Sequence, residues 1–112
     1  RRDGREITLA APEVLASPIT PEVADGVRDL MIATVRRGTG TAAALPDVVV
    51  AGKTGTATNA AGRSHAWFVA FAPAAHPRIV VAIVVENVGY GGTYAAPIAR
   101  SVIATALATD RG

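Results

Sequence analysis

Cysteine is absent from the sequence, and lysine occurs only once, at position 53. The first absence excludes a disulfide framework and any thiolate metal site, and it suits an oxidising compartment as well as a reducing one. Aromatic residues are scarce: one tryptophan, two tyrosines and two phenylalanines. Basic side chains are scattered (Arg5, Arg28, Arg63, Arg78, Arg100), with short pairs at Arg1-Arg2 and Arg36-Arg37. A nucleic-acid binder clusters such charges on one face and interleaves aromatics, so no nucleic-acid partner is expected. The longest strongly apolar run, Ile79 to Val85, falls far short of the roughly 20 residues that a membrane-spanning helix requires. The opening Arg1-Arg2-Asp3 has neither a methionine nor a signal-peptide pattern, and reads as the continuation of a longer chain.

What is present is enough for a core. Half of the 112 residues are apolar and the net charge is only +2, so composition gives no sign of disorder. Asp3-Gly4 is a hairpin-turn dipeptide, and Arg5 to Leu9 alternates like a strand whose partner lies further upstream. Thr20-Pro21-Glu22 predicts a helix start: a capping hydroxyl, proline at the first helical position, then an acid in the first turn. Val23, Val27, Leu30, Met31 and Thr34 follow as one stripe, Arg36-Arg37 suits the C-terminal dipole, and Gly38 is the expected stop.

After a small-residue loop from Thr39 to Pro46, strands are expected over Val48 to Thr58, Ser64 to Ala72 and Ile79 to Val85. Asn59 to Gly62 and His76-Pro77 turn the chain between them, and such short connections favour antiparallel neighbours. Trp67, Val69 and Phe71 share one face of the second strand, with Trp67 expected in the core. The β-branched third strand reads as buried. Beyond the Gly89-Tyr90-Gly91-Gly92 turn, a second helix begins near Thr93, with Ala95, Ile98, Ala99, Val102, Ile103 and Ala106 on one face. Pro97 falls in its first turn, where a missing N–H is tolerated.

The densest chemical signal is Ala51-Gly52-Lys53-Thr54-Gly55-Thr56-Ala57-Thr58. Glycine weakens a strand, so two glycines around the sole lysine point to close approach of a ligand or another backbone. Gly-Lys-Thr also ends a phosphate-binding loop, but that motif needs a glycine where Asp47 stands, and a helix rather than more strand afterwards. Gly38-Thr39-Gly40 weakly echoes a dinucleotide loop, yet it follows a helix instead of a strand. Glu86 and Asp47 show no spacing that pairs them for acid–base work. His65 reads as structural, and with His76 in a turn the two histidines form no metal cluster. Tyr90 reads as part of a surface turn.

Lys53-Thr54-Gly55, followed by Thr56-Ala57, is similar to the third active-site motif of penicillin-binding transpeptidases and serine β-lactamases. The surrounding order extends the likeness. Val50 to Ala57, then His65-Ala66-Trp67-Phe68-Val69-Ala70-Phe71-Ala72-Pro73, then Gly91-Gly92 with Ala95-Ala96-Pro97, resembles the C-terminal end of class B penicillin-binding proteins. The helix carrying Met31 and the Arg37-Gly38-Thr39-Gly40 loop fit as well, and the alanine-rich, arginine-over-lysine composition looks actinobacterial.

The resemblance implies an α+β fold: an antiparallel sheet flanked by helices, the C-terminal part of a β-lactamase/transpeptidase-like fold. It implies a serine D,D-transpeptidase that cross-links peptidoglycan outside the cytoplasmic membrane, with no metal or organic cofactor. The family also needs a Ser-x-x-Lys nucleophile motif and a Ser-x-Asn motif, and neither occurs in residues 1–112. Both are expected in an N-terminal part of the same protein, which would also hold the membrane anchor. The chain alone is therefore expected to be neither catalytic nor stable.

The roles implied by the resemblance are specific. Lys53 places positive charge near the nucleophile network and the substrate carboxylate. Thr54 and Thr56 hydroxyls bind that carboxylate, which belongs to a peptidoglycan stem peptide or to a β-lactam antibiotic. The backbone N–H of Thr56 is an oxyanion donor, and Gly55 leaves room for substrate to lie along the strand. A β-lactamase or a non-catalytic β-lactam sensor domain would use the same motif, and both remain alternatives at this point.

Overall fold

A computed structural model of the chain describes residues 16–110. The expected strand over Arg5 to Leu9 and its Asp3-Gly4 turn lie outside these residues. The first helix, α1 (Pro21–Arg37), begins as its sequence predicts: Thr20 Oγ1 accepts a hydrogen bond from the Val23 amide at 3.3 Å, and proline occupies the first turn. It ends at Gly38, whose amide donates to Thr34 O. Gly38 is extended (φ −114°) rather than left-handed, so the helix does not stop in the usual glycine conformation.

A single 3-10 turn, Thr41–Ala43, interrupts the following loop. Three strands then form one antiparallel sheet in the order β1 (Ala51–Thr58), β2 (Ser64–Ala72), β3 (Ile79–Val85). Val48 to Val50, expected as the start of β1, lie outside it. Val49 still accepts a hydrogen bond from the Ala74 amide and Val50 is buried, so the segment is packed without entering the ladder. The β1–β2 turn is held by Asn59, whose Oδ1 accepts from the amides of Ala61 and Arg63 at 3.0 Å each. A short helix, α2 (Gly91–Tyr94), and a longer one, α3 (Ala96–Asp110), complete the order.

The inner face of the sheet meets α3. Ala66, Phe68, Ala70 and Ala72 of β2 are buried with Val81 of β3 and with Ala96, Ala99, Ile103 and Leu107 of α3. Alanines on both sides let helix and sheet approach closely, and the Phe68 ring lies over Gly52 of β1 and against Gly40 of the loop after α1. Burying a side chain of that size stabilises by up to about 3 kcal/mol relative to exposure. Arg100 Nε adds a tie from α3 to the preceding loop, donating to Ala44 O at 2.9 Å.

Sequence expectation and structure part company over which faces are covered. Trp67 is 41% exposed and Val80 69% exposed, because both lie on the outer face, which no described element covers. The core residue of β2 is therefore Phe68, and β3 is buried on one face only. On α3 the buried stripe runs through Ala99, Ile103 and Leu107, while Ile98 and Val102 are exposed. On α1 only Val35 is buried; Val23, Val27 and Leu30 of the expected stripe lie open among the described residues. The periodicities are real, but the partners of these surfaces are not among residues 16–110.

Candidate active site

Strand β1 has a neighbour on one side only, so its other edge is unpaired among the described residues. The motif occupies this edge strand, and strand alternation divides its side chains. Thr54 and Thr56 lie opposite Phe68 and Ala66 and share the inner face with them. Lys53 and Gly55 lie opposite Val69 and Trp67 on the outer face. An edge strand makes both faces reachable from the same free edge, so the split does not separate them chemically.

Beyond the inner face of β1 lies an open groove of about 550 Å³. It is lined by Thr54 and Thr56, by Gly38, Thr39 and Thr41 from the segment after α1, and by Tyr90 with Gly91, Gly92 and Thr93 of α2. No carboxylate is among these residues. Every polar side chain of the lining is a hydroxyl, each able to donate one proton. Such a lining, with a lysine on the same strand, suits an anionic ligand. The Lys53 ammonium is exposed and donates to the Thr54 carbonyl at 2.6 Å.

The two glycines of the motif have different causes. A Cβ at position 52 would come within 2.5 Å of Phe68 Cζ, so Gly52 makes room for the protein's own core rather than for a ligand. At position 55 the nearest atom is Trp67 Cβ at 3.5 Å, an ordinary contact. Only Gly55 leaves space that a ligand can use.

The opposite rim depends on close backbone approach. A Cβ on Gly91 would collide with the carbonyl oxygen of Trp67, and one on Gly92 with that of Thr39. These two glycines therefore bring the start of α2 against β2 and against the loop after α1. Nearby, His65 Nδ1 accepts from the Asn87 amide at 3.1 Å, and Asn87 Oδ1 accepts from Asn59 Nδ2 at 2.9 Å. This network pins the far end of the sheet and gives His65 a structural part.

Sequence reasoning found Lys53, Thr54, Gly55 and Thr56, but not Thr39, Thr41 or Thr93. Thr39 lay in the Gly-Thr-Gly segment set aside as a false dinucleotide echo. Its signal in the sequence is the Arg37-Gly38-Thr39-Gly40 loop that extends the family resemblance. Tyr90 does sit in an exposed turn, as expected, and also borders the groove.

A model of the penicillin binding protein transpeptidase domain matches residues 5–104. The chain belongs to this family. Peptidoglycan D,D-transpeptidase PbpA of Mycolicibacterium smegmatis is 40% identical over 110 residues, covering 90% of this chain and 22% of that protein. Among solved structures, the D,D-transpeptidase domain of a peptidoglycan glycosyltransferase from Eggerthella lenta superposes with a TM-score of 0.81 at 41% identity, over 97% of this chain and 25% of that one. A penicillin G acyl-enzyme complex of penicillin-binding protein A from M. tuberculosis gives 0.72 at 36% identity, over 90% and 24%. The α+β transpeptidase fold expected from the motifs is thus the fold observed. The chain spans about a fifth to a quarter of the length of these relatives.

Proposed function

We propose that residues 1–112 form the C-terminal portion of a serine D,D-transpeptidase that cross-links peptidoglycan and is acylated by β-lactams. The observation that carries this reading is the position of the Lys53–Thr56 motif on a free sheet edge, beside a groove whose polar side chains are all hydroxyls. The substrate carboxylate, from a D-alanyl-D-alanine stem peptide or a β-lactam, is held by the Thr54 and Thr56 hydroxyls. Lys53 supplies positive charge beside the nucleophile and the same carboxylate. Gly55 keeps the strand clear for a substrate that adds to the edge as a further β-strand. The backbone N–H of Thr56 donates to the developing oxyanion, an interaction whose loss typically costs about 3–4 kcal/mol of transition-state stabilisation.

The nucleophile comes from elsewhere. Ser-x-x-Lys is impossible in a chain whose one lysine is Lys53 with Val50 three positions before it. We place that motif and Ser-x-Asn in a preceding part of the same protein, together with a membrane anchor, so that the reaction runs outside the cytoplasmic membrane. No helix among the described residues is long and apolar enough to cross a membrane. The uncovered outer face, bearing Trp67, Val69, Val80 and Val84 next to Lys53, supports this reading, because it offers an apolar seat where the missing part brings the serine to the strand edge.

The test is covalent labelling of the complete protein with fluorescent penicillin, followed by peptide mapping. The expected label sits on a serine upstream of this segment, with none within residues 1–112. Absence of any label, or a label on Ser17, Ser64 or Ser101, overturns the assignment. Slow release of the label separates a transpeptidase from a β-lactamase, which must hydrolyse its acyl-enzyme rapidly.

A further inference from the structure

Thr39 and Thr54 are 15 residues apart in sequence, yet their hydroxyl oxygens lie 2.7 Å apart at the edge of the groove. We propose that Thr39 is a positioning residue, which orients the Thr54 hydroxyl so that its proton points at the substrate carboxylate. The proposal rests on the carboxylate-binding role given to Thr54 above and extends it to a residue outside the motif.

The argument is one of proton counting. A threonine hydroxyl has one proton to give and two lone pairs to receive with. Within a hydroxyl pair, one member donates and the other accepts. If Thr54 donates to Thr39, Thr54 presents only lone pairs to the groove, and these repel a carboxylate. If Thr39 donates to Thr54, the Thr54 proton is left for the ligand. An anion in the groove selects the second arrangement, and Thr39 makes it available without cost in hydrogen bonds.

Thr39 is held where this requires. The amides of Gly38 and Gly40, on either side of it, both donate to Thr34 O at 3.0 Å, so the last turn of α1 fixes the loop. The carbonyl of Thr39 packs against Gly92, where any side chain would collide with it. One residue thus connects α1, β1 and the start of α2 around the Thr54 hydroxyl. Its side chain is exposed, so the hydroxyl pair is more than a buried group finding a partner.

The experiment compares acylation of the complete transpeptidase by benzylpenicillin and by its methyl ester, which has no carboxylate to bind. The acid-to-ester ratio of acylation rate constants is measured for the wild type, Thr39→Val, Thr39→Ser and Thr54→Val. A ratio within one preparation does not depend on how much of that preparation is folded. Thr39→Val should lower the ratio about tenfold, the usual scale for a hydrogen bond to a charged group. Thr39→Ser, which restores the hydroxyl, should keep the wild-type ratio. A wild-type ratio in Thr39→Val, or an equally lowered one in Thr39→Ser, overturns the proposal. If Thr54→Val also keeps the wild-type ratio, or the wild type does not distinguish acid from ester, the carboxylate reading of Thr54 fails first. If Thr54→Val collapses the ratio and Thr39→Val does not, only the role of Thr39 is lost.

Discussion

Gly52 lies under the ring of Phe68, so close that a Cβ at position 52 would stand 2.5 Å from Phe68 Cζ. The glycine that introduces the active-site motif is thereby tied to the core, while the glycine two residues after Lys53 is not. Gly52→Ala should overpack this contact and lower the stability of the complete protein by about 1–3 kcal/mol. Denaturant unfolding of the variant checks this, and an unchanged midpoint would show that Phe68 can move aside at little cost.

Gly55→Val should behave in the opposite way. The site meets only Trp67 Cβ at 3.5 Å, and a β-branched residue suits an edge strand. Its melting temperature should stay within a few degrees of wild type, about the shift that 1 kcal/mol gives in a domain of this class. Acylation by penicillin should fall sharply, because the branched side chain occupies the path of the substrate. Normal labelling by this variant would mean that substrate does not run along β1.

Lys53→Ala should slow acylation of the complete protein by about 10²–10³-fold, the scale of removing one preorganised electrostatic contact from a reacting centre. The side chain is exposed and its one polar contact among the described residues is a neighbouring carbonyl, so stability should change little. Stopped-flow acylation kinetics on the folded variant decide the matter. A rate equal to wild type removes the central functional claim.

Trp67 should report the docking of the preceding part of the protein. At 41% exposure on a face that no described element covers, Trp67 is packed too little by residues 16–110 alone for Trp67→Ala to cost the roughly 3–5 kcal/mol typical of a fully buried Trp. In the complete protein the cost should approach that range. The isolated 112-residue chain should unfold without clear cooperativity, and its Trp67 emission should be that of a wetted indole. A sharp unfolding transition with blue-shifted emission from the segment alone would count against an incomplete sheet surface.

Phe68→Ala should destabilise the complete protein by about 3–5 kcal/mol, because the side chain is already fully buried by the described residues. Denaturant unfolding of the complete protein measures the loss, and an unchanged midpoint would remove Phe68 from the core.

Local features of the chain were set by sequence alone, because their physics acts over a few residues. Thr20, Pro21 and Gly38 bounded α1 through capping groups and a fixed φ, and Asn59 with Gly62 closed the β1–β2 turn through hydrogen bonds within the same five residues. The Lys53-Thr54-Gly55 motif and its ordered companions carried the family. Facing was not set this way. Ala66 to Ala72 is apolar at every position, so a period of two cannot say which side is inward. Only the packing of α2, α3 and the loop after α1 on one face made Phe68 core and left Trp67 open. The same holds for the site: Thr39 and Thr54 meet because α1, β1 and α2 converge, and Gly52 and Gly55 differ because one lies over a ring and the other over space. Those are relations between residues distant in sequence, which local propensity cannot encode and tertiary packing alone decides.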